Sequence, residues 1–207
     1  MGIVTSGRFI LASASPRRIE LLKLTGLNFE VISGCVNETY LKGETPEEHV
    51  LRLSADKAEV VASRHPDAWV LGADTIVIIR GEILGKPRTT AEAKEMLGKL
   101  SGQEHRVFTG FTIARKTTGV LLRNVVESLV IFKEIPEDEL AWYVRSDEPY
   151  DKAGGYAVQG MSALFIREIH GSYTNVMGLP ICEVVEVLKS IGAIEFPKES
   201  HGRDSQS

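Results

Sequence analysis

Apolar residues recur along the chain with two different periods, and these periods predict a mixture of helices and strands. Apolar residues spaced three and four apart predict helices, most of which begin at a capping hydroxyl residue or at a proline. The predicted helices cover residues 16–26, 45–64, 89–102, 136–145 and 180–191. Short runs rich in β-branched and aromatic residues predict strands over 9–12, 107–115, 120–132 and 163–169.

Residues 69–87 combine strand signals with one polar interruption. The segment predicts a buried strand from Trp69, a break at residues 72–75, and then a hairpin that turns at Arg80-Gly81. Because helices and strands mingle without a strict β-α-β alternation, we expect a mixed, largely antiparallel twisted sheet flanked by helices. A purely parallel, doubly wound fold is the less favoured alternative. We expect one domain over residues 1–195 and a polar, disordered tail over 196–207.

The stretch Ser-Ala-Ser-Pro-Arg-Arg, residues 13–18, lies where the first predicted strand turns into the first predicted helix. The positive end of the helix dipole and the guanidinium groups of Arg17 and Arg18 would face the same ligand. Such a combination is suited to a phosphate chain, because charged forks and main-chain donors converge on its oxygens. The alternative is a capped surface helix with two solvated arginines.

Two charged residues occur where the pattern predicts burial. Lys57 follows Val50 and Leu53 on the apolar stripe of the second predicted helix, so it projects inward. Asp74 interrupts an apolar run, and an unpaired buried charge is costly, so it should meet a metal, a cation or a reacting proton. Lys57 and Lys86 are the candidate counter-charges. The alternative for Asp74 is a structural aspartate that bonds main-chain amides.

Two loops add further candidates. Glu38, in the loop before the second helix, is a second candidate acid, although alone it resembles an ordinary loop glutamate. Residues 147–160 combine acids, a lysine and glycines, a composition typical of binding loops. Gln159 in this loop offers one donor and one acceptor, which match the N–H and C=O of a uracil or thymine ring. The alternative is a mobile connection with Gln159 facing water.

Composition excludes several classes of protein. The 207-residue chain has a formal charge of −4, which opposes a protein that coats nucleic acid. Its two cysteines lack the spacing of a zinc site or a disulfide scaffold. No apolar run approaches the roughly 20 residues that span a bilayer, and no signal peptide is recognisable. We therefore expect a soluble, cytoplasmic protein that binds neither nucleic acid nor membrane.

The motifs together resemble the Maf family of nucleoside triphosphate pyrophosphatases. The likeness covers nearly the whole chain, through SASPRR, GADTIVI, GKPRT, SGQEHRVFTG, SDEPYDKAGGYAVQG and GSYTNVMGLP. YAVQG resembles the subgroup that hydrolyses dTTP and UTP rather than the one that acts on 7-methyl-GTP. The resemblance implies an elongated α/β fold like that of inosine triphosphate pyrophosphatase, with a cleft between two lobes.

The resemblance also implies roles for particular residues. Asp74 corresponds to the proposed general base, although a metal ligand is an open alternative, and Glu38 is the second expected ligand. Arg17, Thr75 and Gln159 fall on positions that set nucleotide preference. The residues that fall on active-site positions and are expected to serve the phosphates or catalysis are Ser13, Arg17, Arg18, Lys57 and Lys86.

The expected reaction is hydrolysis of dTTP and UTP to the monophosphate and pyrophosphate, with Mg²⁺ or Mn²⁺. The resemblance further implies a homodimer, a role in removing modified nucleotides and a link to arrest of cell division. Two alternatives stay open. One is activity on 7-methyl-GTP or other modified nucleotides, and the other is a non-catalytic, nucleotide-sensing inhibitor of septum formation.

Overall fold

The strands form one large sheet and one small pair. A computed structural model describes residues 3–197, and nine strands lie in that range. They are β1 (Val4–Thr5), β2 (Phe9–Leu11), β3 (Glu30–Val31), β4 (Trp69–Ile79), β5 (Glu82–Leu84), β6 (Glu104–Arg115), β7 (Val120–Phe132), β8 (Ile166–His170) and β9 (Ile194–Glu195). The prediction of one domain over residues 1–195 stays a prediction, and residues 198–207 of the predicted tail lie outside the described range.

The large sheet has the order β3-β2-β4-β6-β7-β8, with β5 paired to β4. Strand β2 runs parallel to β3 and β4, whereas the other neighbours in this sheet are antiparallel. β1 and β9 form the separate antiparallel pair. A mixed, largely antiparallel sheet was expected, and the structure confirms it.

Helices flank this sheet. Within residues 3–197 the α-helices are α1 (Pro16–Lys23), α2 (Pro46–Ala62), α3 (Thr90–Leu100), α4 (Glu137–Tyr143), α5 (Tyr173–Met177) and α6 (Ile181–Ser190). The short helix α5 was not predicted. None of the helices in this range is long and apolar enough to cross a bilayer.

Two helices begin at a threonine cap. The Thr45 hydroxyl accepts a hydrogen bond from the N–H of Glu48, whose carboxylate accepts one from the N–H of Thr45, so the two residues form a capping box. The Thr89 hydroxyl likewise accepts from the N–H of Glu92. The Glu92 carboxylate, however, accepts from the N–H of Arg88, so this second box is only half formed.

Helix α1 begins without a side-chain cap. Ser15 occupies the N-cap position, but its hydroxyl makes no capping bond, and its N–H donates to the Ser13 hydroxyl at 3.3 Å. The helix ends at Lys23 rather than at Gly26, because Gly26 adopts a positive φ of 72° that a right-handed helix does not contain. The first turn of α1 therefore has main-chain N–H groups that no side chain of Ser15 caps.

Two strand predictions were wrong. Strand β4 is continuous through residues 72–75. Asp74 pairs with Lys57, so its charge is buried without a break in the strand. The segment predicted as a strand over 163–169 begins as a 3-10 helix, Met161–Phe165, before β8. The Glu148 carboxylate accepts the N–H groups of Met161 and Ser162 and thereby bends the chain there.

The core contains two main apolar clusters. One packs α1 and α6 against the sheet around Leu22, Phe111 and Leu188, and the other packs α3 and α4 against it around Phe132 and Tyr143. Both clusters contribute residues to the walls of one cavity. The site therefore lies where the two clusters meet.

Helix α2 contacts the sheet main chain to main chain. A Cβ atom on Gly72 of β4 would lie 2.3 Å from the carbonyl oxygen of Ser54, and one on Gly110 of β6 would lie 2.4 Å from that of Val50. Only glycine permits this approach. The Ser54 hydroxyl also bonds that of Thr112 across the contact at 2.8 Å. The approach fixes the position of α2, and hence of Lys57, relative to β4.

Gly72→Ala tests this contact. The added methyl group would overlap the α2 main chain, so we expect a loss of unfolding free energy of about 1–3 kcal/mol, measured by urea denaturation. Gly98→Ala is the matched control, because apart from its chain neighbours and the backbone of its own helix, no described heavy atom lies within 4 Å of its Cβ position. Gly98 lies inside α3, so that change should stabilise the protein by about 0.5–1 kcal/mol. Equal stability of the Gly72→Ala variant and the wild type would contradict the contact.

Candidate active site

A cavity of about 750 Å³ brings together every residue that the sequence predicted for the site. Its walls include Ser13, Arg17, Arg18, Glu38, Lys57, Asp74, Thr75, Lys86 and Gln159. Five cationic and three acidic side chains line it, although the whole chain carries a formal charge of −4. The volume is that of a pocket for a nucleotide-sized ligand, and the local excess of positive charge favours an anionic one.

Lys57 lies between two carboxylates. Its Nζ atom is 2.7 Å from Oδ1 of Asp74 and 2.6 Å from Oε1 of Glu38. The side chains of Lys57 and Asp74 are each only 10% exposed, whereas that of Glu38 is 59% exposed at the mouth of the cavity. The predicted inward direction of Lys57 is thus observed, and the buried charge of Asp74 has its partner.

Asp74 keeps one oxygen open. Oδ1 accepts from Lys57, whereas Oδ2 accepts no hydrogen bond from any group within residues 3–197 and is not sealed from the cavity. Asp74 is centrally placed in the sheet, on β4 between β2 and β6. A carboxylate oxygen in this position is available to accept a proton or to bind a cation.

Glu38 is charged under ordinary conditions. Burial by itself would raise the pKa of its carboxyl, but the hydrogen bond from Lys57 and the charges of Lys57, Lys86 and Arg18 lower that pKa below its usual value. The main chain of its loop is also fixed, because a Cβ on Gly34 would lie 2.5 Å from the carbonyl oxygen of Lys57. Glu38 therefore presents a fixed negative charge beside Asp74.

Arg18 is built into the wall of the cavity. Its guanidinium donates to the carbonyl oxygens of Ala73 and Gly178 at 2.9 and 2.8 Å, and to the hydroxyls of Ser13 and Thr75 at 3.3 and 2.9 Å. Burial lowers its pKa, and the charge of Asp74 opposes that shift. Four of the five N–H donors of an arginine are thus used within the protein. Arg18 holds the hydroxyls of Ser13 and Thr75 in place and keeps little capacity for a ligand.

The Thr75 hydroxyl is also fully engaged. Besides accepting from Arg18, it bonds the Thr109 hydroxyl at 2.9 Å and lies 3.3 Å from the carbonyl oxygen of Gly178. Thr109 is completely buried and donates to the carbonyl of Asn175 in α5. Any influence of Thr75 on the ligand therefore acts through its position and its methyl group.

Three predicted residues face the cavity more freely. Lys86 is exposed just past β5, and Gln159 is exposed in the loop before the 3-10 helix. Arg17 is partly exposed at the first turn of α1 and lies 3.2 Å from Asp151. These side chains have the freedom to reorient toward a ligand that Arg18 lacks.

Comparison with known proteins identifies the family. The family profile described as "Maf-like protein" matches residues 8–191. The chain belongs to the Maf family. The "dTTP/UTP pyrophosphatase" of Syntrophus aciditrophicus is 61% identical over 198 residues, covering 96% of this chain and 97% of that protein. The protein of the same name from Geotalea uraniireducens is 50% identical over 186 residues, which cover 90% of this chain and 96% of that protein.

Solved structures show the same fold at low sequence identity. The Ham1 protein of Staphylococcus aureus is 16% identical with a TM-score of 0.51, covering 89% of this Maf chain and 100% of that one. A HAM1 protein from Coxiella burnetii is 14% identical with a TM-score of 0.50, and the match covers 88% of this chain and 98% of that one. The sequence-based prediction of the family and of the fold class is confirmed.

A cluster behind the loop of Glu38 was missed from the sequence of this Maf protein. Arg52 on α2 donates to the Glu44 carboxylate at 2.6 and 2.9 Å and to the carbonyl of Thr39 at 3.1 Å. His49 Nδ1 lies 3.0 Å from the same carboxylate. The loop that carries Glu38 is therefore attached to α2 by side chains as well as by Gly34. Nothing in the spacing of these residues indicated the cluster.

Two further cavity residues, Asp151 and Lys152, were noted only as members of a binding loop. Both line the cavity, and the Asp151 carboxylate bonds Lys152 as well as Arg17. Tyr156 of the same loop also lines it, and its hydroxyl lies 2.6 Å from Nε2 of the buried His105. Burial lowers the pKa of His105 to about 3, so this imidazole is neutral at physiological pH.

The Glu44 cluster predicts a pH dependence of stability. The hydrogen bond from Arg52 lowers the pKa of Glu44 from 4.5 to about 2. Because the pKa of Glu44 is lower in the folded state than in the unfolded state, its ionised carboxylate stabilises the fold at pH values above the unfolded-state pKa. This stabilisation is lost as the pH falls toward 2. Glu44→Gln should thus lower the free energy of unfolding by about 1–3 kcal/mol near neutral pH, and by progressively less below about pH 4.5. Urea unfolding across this range measures the difference from the wild type.

Glu20→Gln is the control for this experiment, because Glu20 is exposed on α1 and has no ion-pair partner within residues 3–197. Its difference from the wild type should be small at every pH. A constant penalty for Glu44→Gln from neutral to acid pH would contradict the assigned charge of Glu44.

Proposed function

We propose that this Maf protein hydrolyses dTTP and UTP between the α- and β-phosphates, giving the nucleoside monophosphate and pyrophosphate. The observation that carries the proposal is the open Oδ2 atom of Asp74 in a cavity lined by five cations. The names of the relatives from Syntrophus aciditrophicus and Geotalea uraniireducens support the same activity.

The phosphate chain binds the cationic part of the cavity. Arg17 and Lys86 have side chains free to reach phosphate oxygens, and the uncapped first turn of α1 adds main-chain N–H donors. Lys57 is fixed by Glu38 and Asp74 and supplies a stationary positive charge. Phosphoryl transfer is accelerated mainly by such positioning and charge stabilisation.

Asp74 acts on the attacking water. Its Oδ2 atom accepts a proton from water while the water oxygen forms a bond to the α-phosphorus. The bond from that phosphorus to the bridging oxygen breaks, and pyrophosphate leaves with the electron pair. Lys57 orients the Asp74 carboxylate, because its ammonium bonds Oδ1 at 2.7 Å and leaves Oδ2 for the water.

The residues present fit a divalent metal ion. No group of three or more candidate ligands occurs within residues 3–197, but Mg²⁺ commonly binds one or two carboxylates and completes its shell with phosphates and water. Glu38 and Asp74 already converge on one cation, the Lys57 ammonium. Glu38 would hold Mg²⁺ or Mn²⁺, together with Asp74 in the alternative in which Oδ2 is a metal ligand instead of the base, and the metal would supply neutralisation of the phosphate charge.

The base binds near Gln159. This exposed amide lies in the loop with Tyr156, Ala157 and Val158, which also line the cavity. A uracil or thymine ring offers an N–H and a C=O to the amide, whereas a cytosine ring reverses part of that pattern. Discrimination follows because a mismatched base leaves a polar group unpaired.

Turnover assays test the reaction. With Mg²⁺ or Mn²⁺, dTTP and UTP should give the monophosphate and pyrophosphate, and Asp74→Asn should reduce kcat by about 10²–10⁴-fold while nucleotide binding stays measurable. Asp67→Asn, which changes an exposed aspartate outside the cavity, should leave kcat unchanged. Release of inorganic phosphate from the triphosphate would reject the proposed bond, and an active Asp74→Asn variant would reject the role of Asp74.

Base selection is tested at Gln159. Gln159→Leu should reduce the preference for UTP over CTP, expressed as the ratio of kcat/KM values, by about 10- to 100-fold, with a smaller change in kcat for UTP. Gln103→Leu is the matched control, because Gln103 lies outside the cavity and bonds Arg80. If the Gln159→Leu ratio equals that of the wild type, Gln159 does not contact the base.

A further inference from the structure

Asp151 joins two cationic side chains on the wall of the cavity. Its Oδ2 atom lies 3.2 Å from Nη1 of Arg17, and its Oδ1 atom bonds Nζ of Lys152. All three side chains line the cavity. The arrangement is the reverse of the one around Lys57, because here one anion lies between two cations.

Lys152 has a hydrogen-bond partner outside the trio, whereas within residues 3–197 the Arg17 side chain bonds only Asp151. The Lys152 side chain is only 13% exposed, and its Nζ donates to the carbonyl of Glu148 at 2.6 Å. Arg17 is 29% exposed at the first turn of α1. Asp151, in contrast, is 62% exposed, and exposed ion pairs contribute little to stability. The carboxylate is thus the member of the trio that a ligand displaces most easily.

A phosphate group has the chemistry to replace this carboxylate. An arginine fork and an ammonium that converge on one anionic group are common phosphate ligands, and a phosphate carries more charge than a carboxylate. Burial by itself would raise the pKa of Asp151, but Lys152 and Arg17 lower it, so a charged competitor is present at neutral pH.

We propose that Lys152 and Arg17 form a phosphate-binding pair for the substrate, and that Asp151 competes with the phosphate for both cations. This inference rests on the proposed function and adds Lys152 to the binding residues. Asp151 lowers the affinity for the phosphate chain, and Lys152 raises it. The Glu148 carbonyl keeps the Lys152 ammonium in place when Asp151 moves away.

Calorimetric titration with inorganic pyrophosphate tests the pair without requiring turnover. At fixed ionic strength with Mg²⁺ present, Asp151→Asn should tighten pyrophosphate binding by about 3- to 10-fold, because it removes the competing charge. Lys152→Gln should weaken binding by about 10-fold, and Lys152→Arg should restore most of it. Asp147→Asn is the matched control, since it removes the same charge from the same loop outside the cavity, and should change affinity by less than about twofold.

Kinetics with dTTP give a second readout. Asp151→Asn should lower KM and Lys152→Gln should raise it, each with a smaller change in kcat than that expected for Asp74→Asn. Weaker pyrophosphate binding by Asp151→Asn would show that Asp151 only positions Arg17 and would overturn the proposal. Unchanged binding by Lys152→Gln, or no binding by the wild type, would also overturn it. A protein that shows the expected binding but does not hydrolyse dTTP would instead refute the proposed function alone.

Discussion

The buried ion pair between Lys57 and Asp74 is the constraint on which the site depends. A carboxylate in the middle of a central strand is tolerated only if a cation reaches it, and the cation here comes from α2 on the face of the sheet. The helix must therefore lie unusually close to the sheet. Gly72 and Gly110 permit that approach, and the continuity of β4 through Asp74 follows from the same pairing.

Charges in the cavity are arranged in two opposite patterns, and these give its parts different chemistry. In the first pattern a cation, Lys57, lies between two anions, Glu38 and Asp74. These carboxylates are suited to bind a further cation or to accept a proton. An anion between two cations, Asp151 between Arg17 and Lys152, is suited to hold phosphate oxygens. Both patterns lie in one cavity, which is where the proposed function places the phosphates of a nucleotide and a divalent metal.

Much of the site could be predicted from the sequence, because local patterns place charges on particular faces. The helical period placed Lys57 inward, and the apolar run around Asp74 required a partner for its carboxylate. The role of Arg18 could not be predicted in this way, since its hydrogen bonds join residues far apart in the chain, such as Ala73 and Gly178. The cluster around Arg52 was missed for the same reason, and the break predicted in β4 was wrong because the compensating charge comes from another element.

The main-chain contact between α2 and the sheet has a consequence for induced fit. The wall that α2 contributes to is fixed by main-chain contacts at Gly34, Gly72 and Gly110, where there is no room for a side chain. We expect this wall to stay in place when a ligand binds. Residues 147–160 form another part of the wall, are held in part by the side-chain bonds of Lys152 and Glu148, and carry the exposed Asp151 and Gln159. Adjustment of the pocket to a larger or smaller ligand is therefore confined to residues 147–160. Mutations that broaden the substrate range should accumulate in this segment.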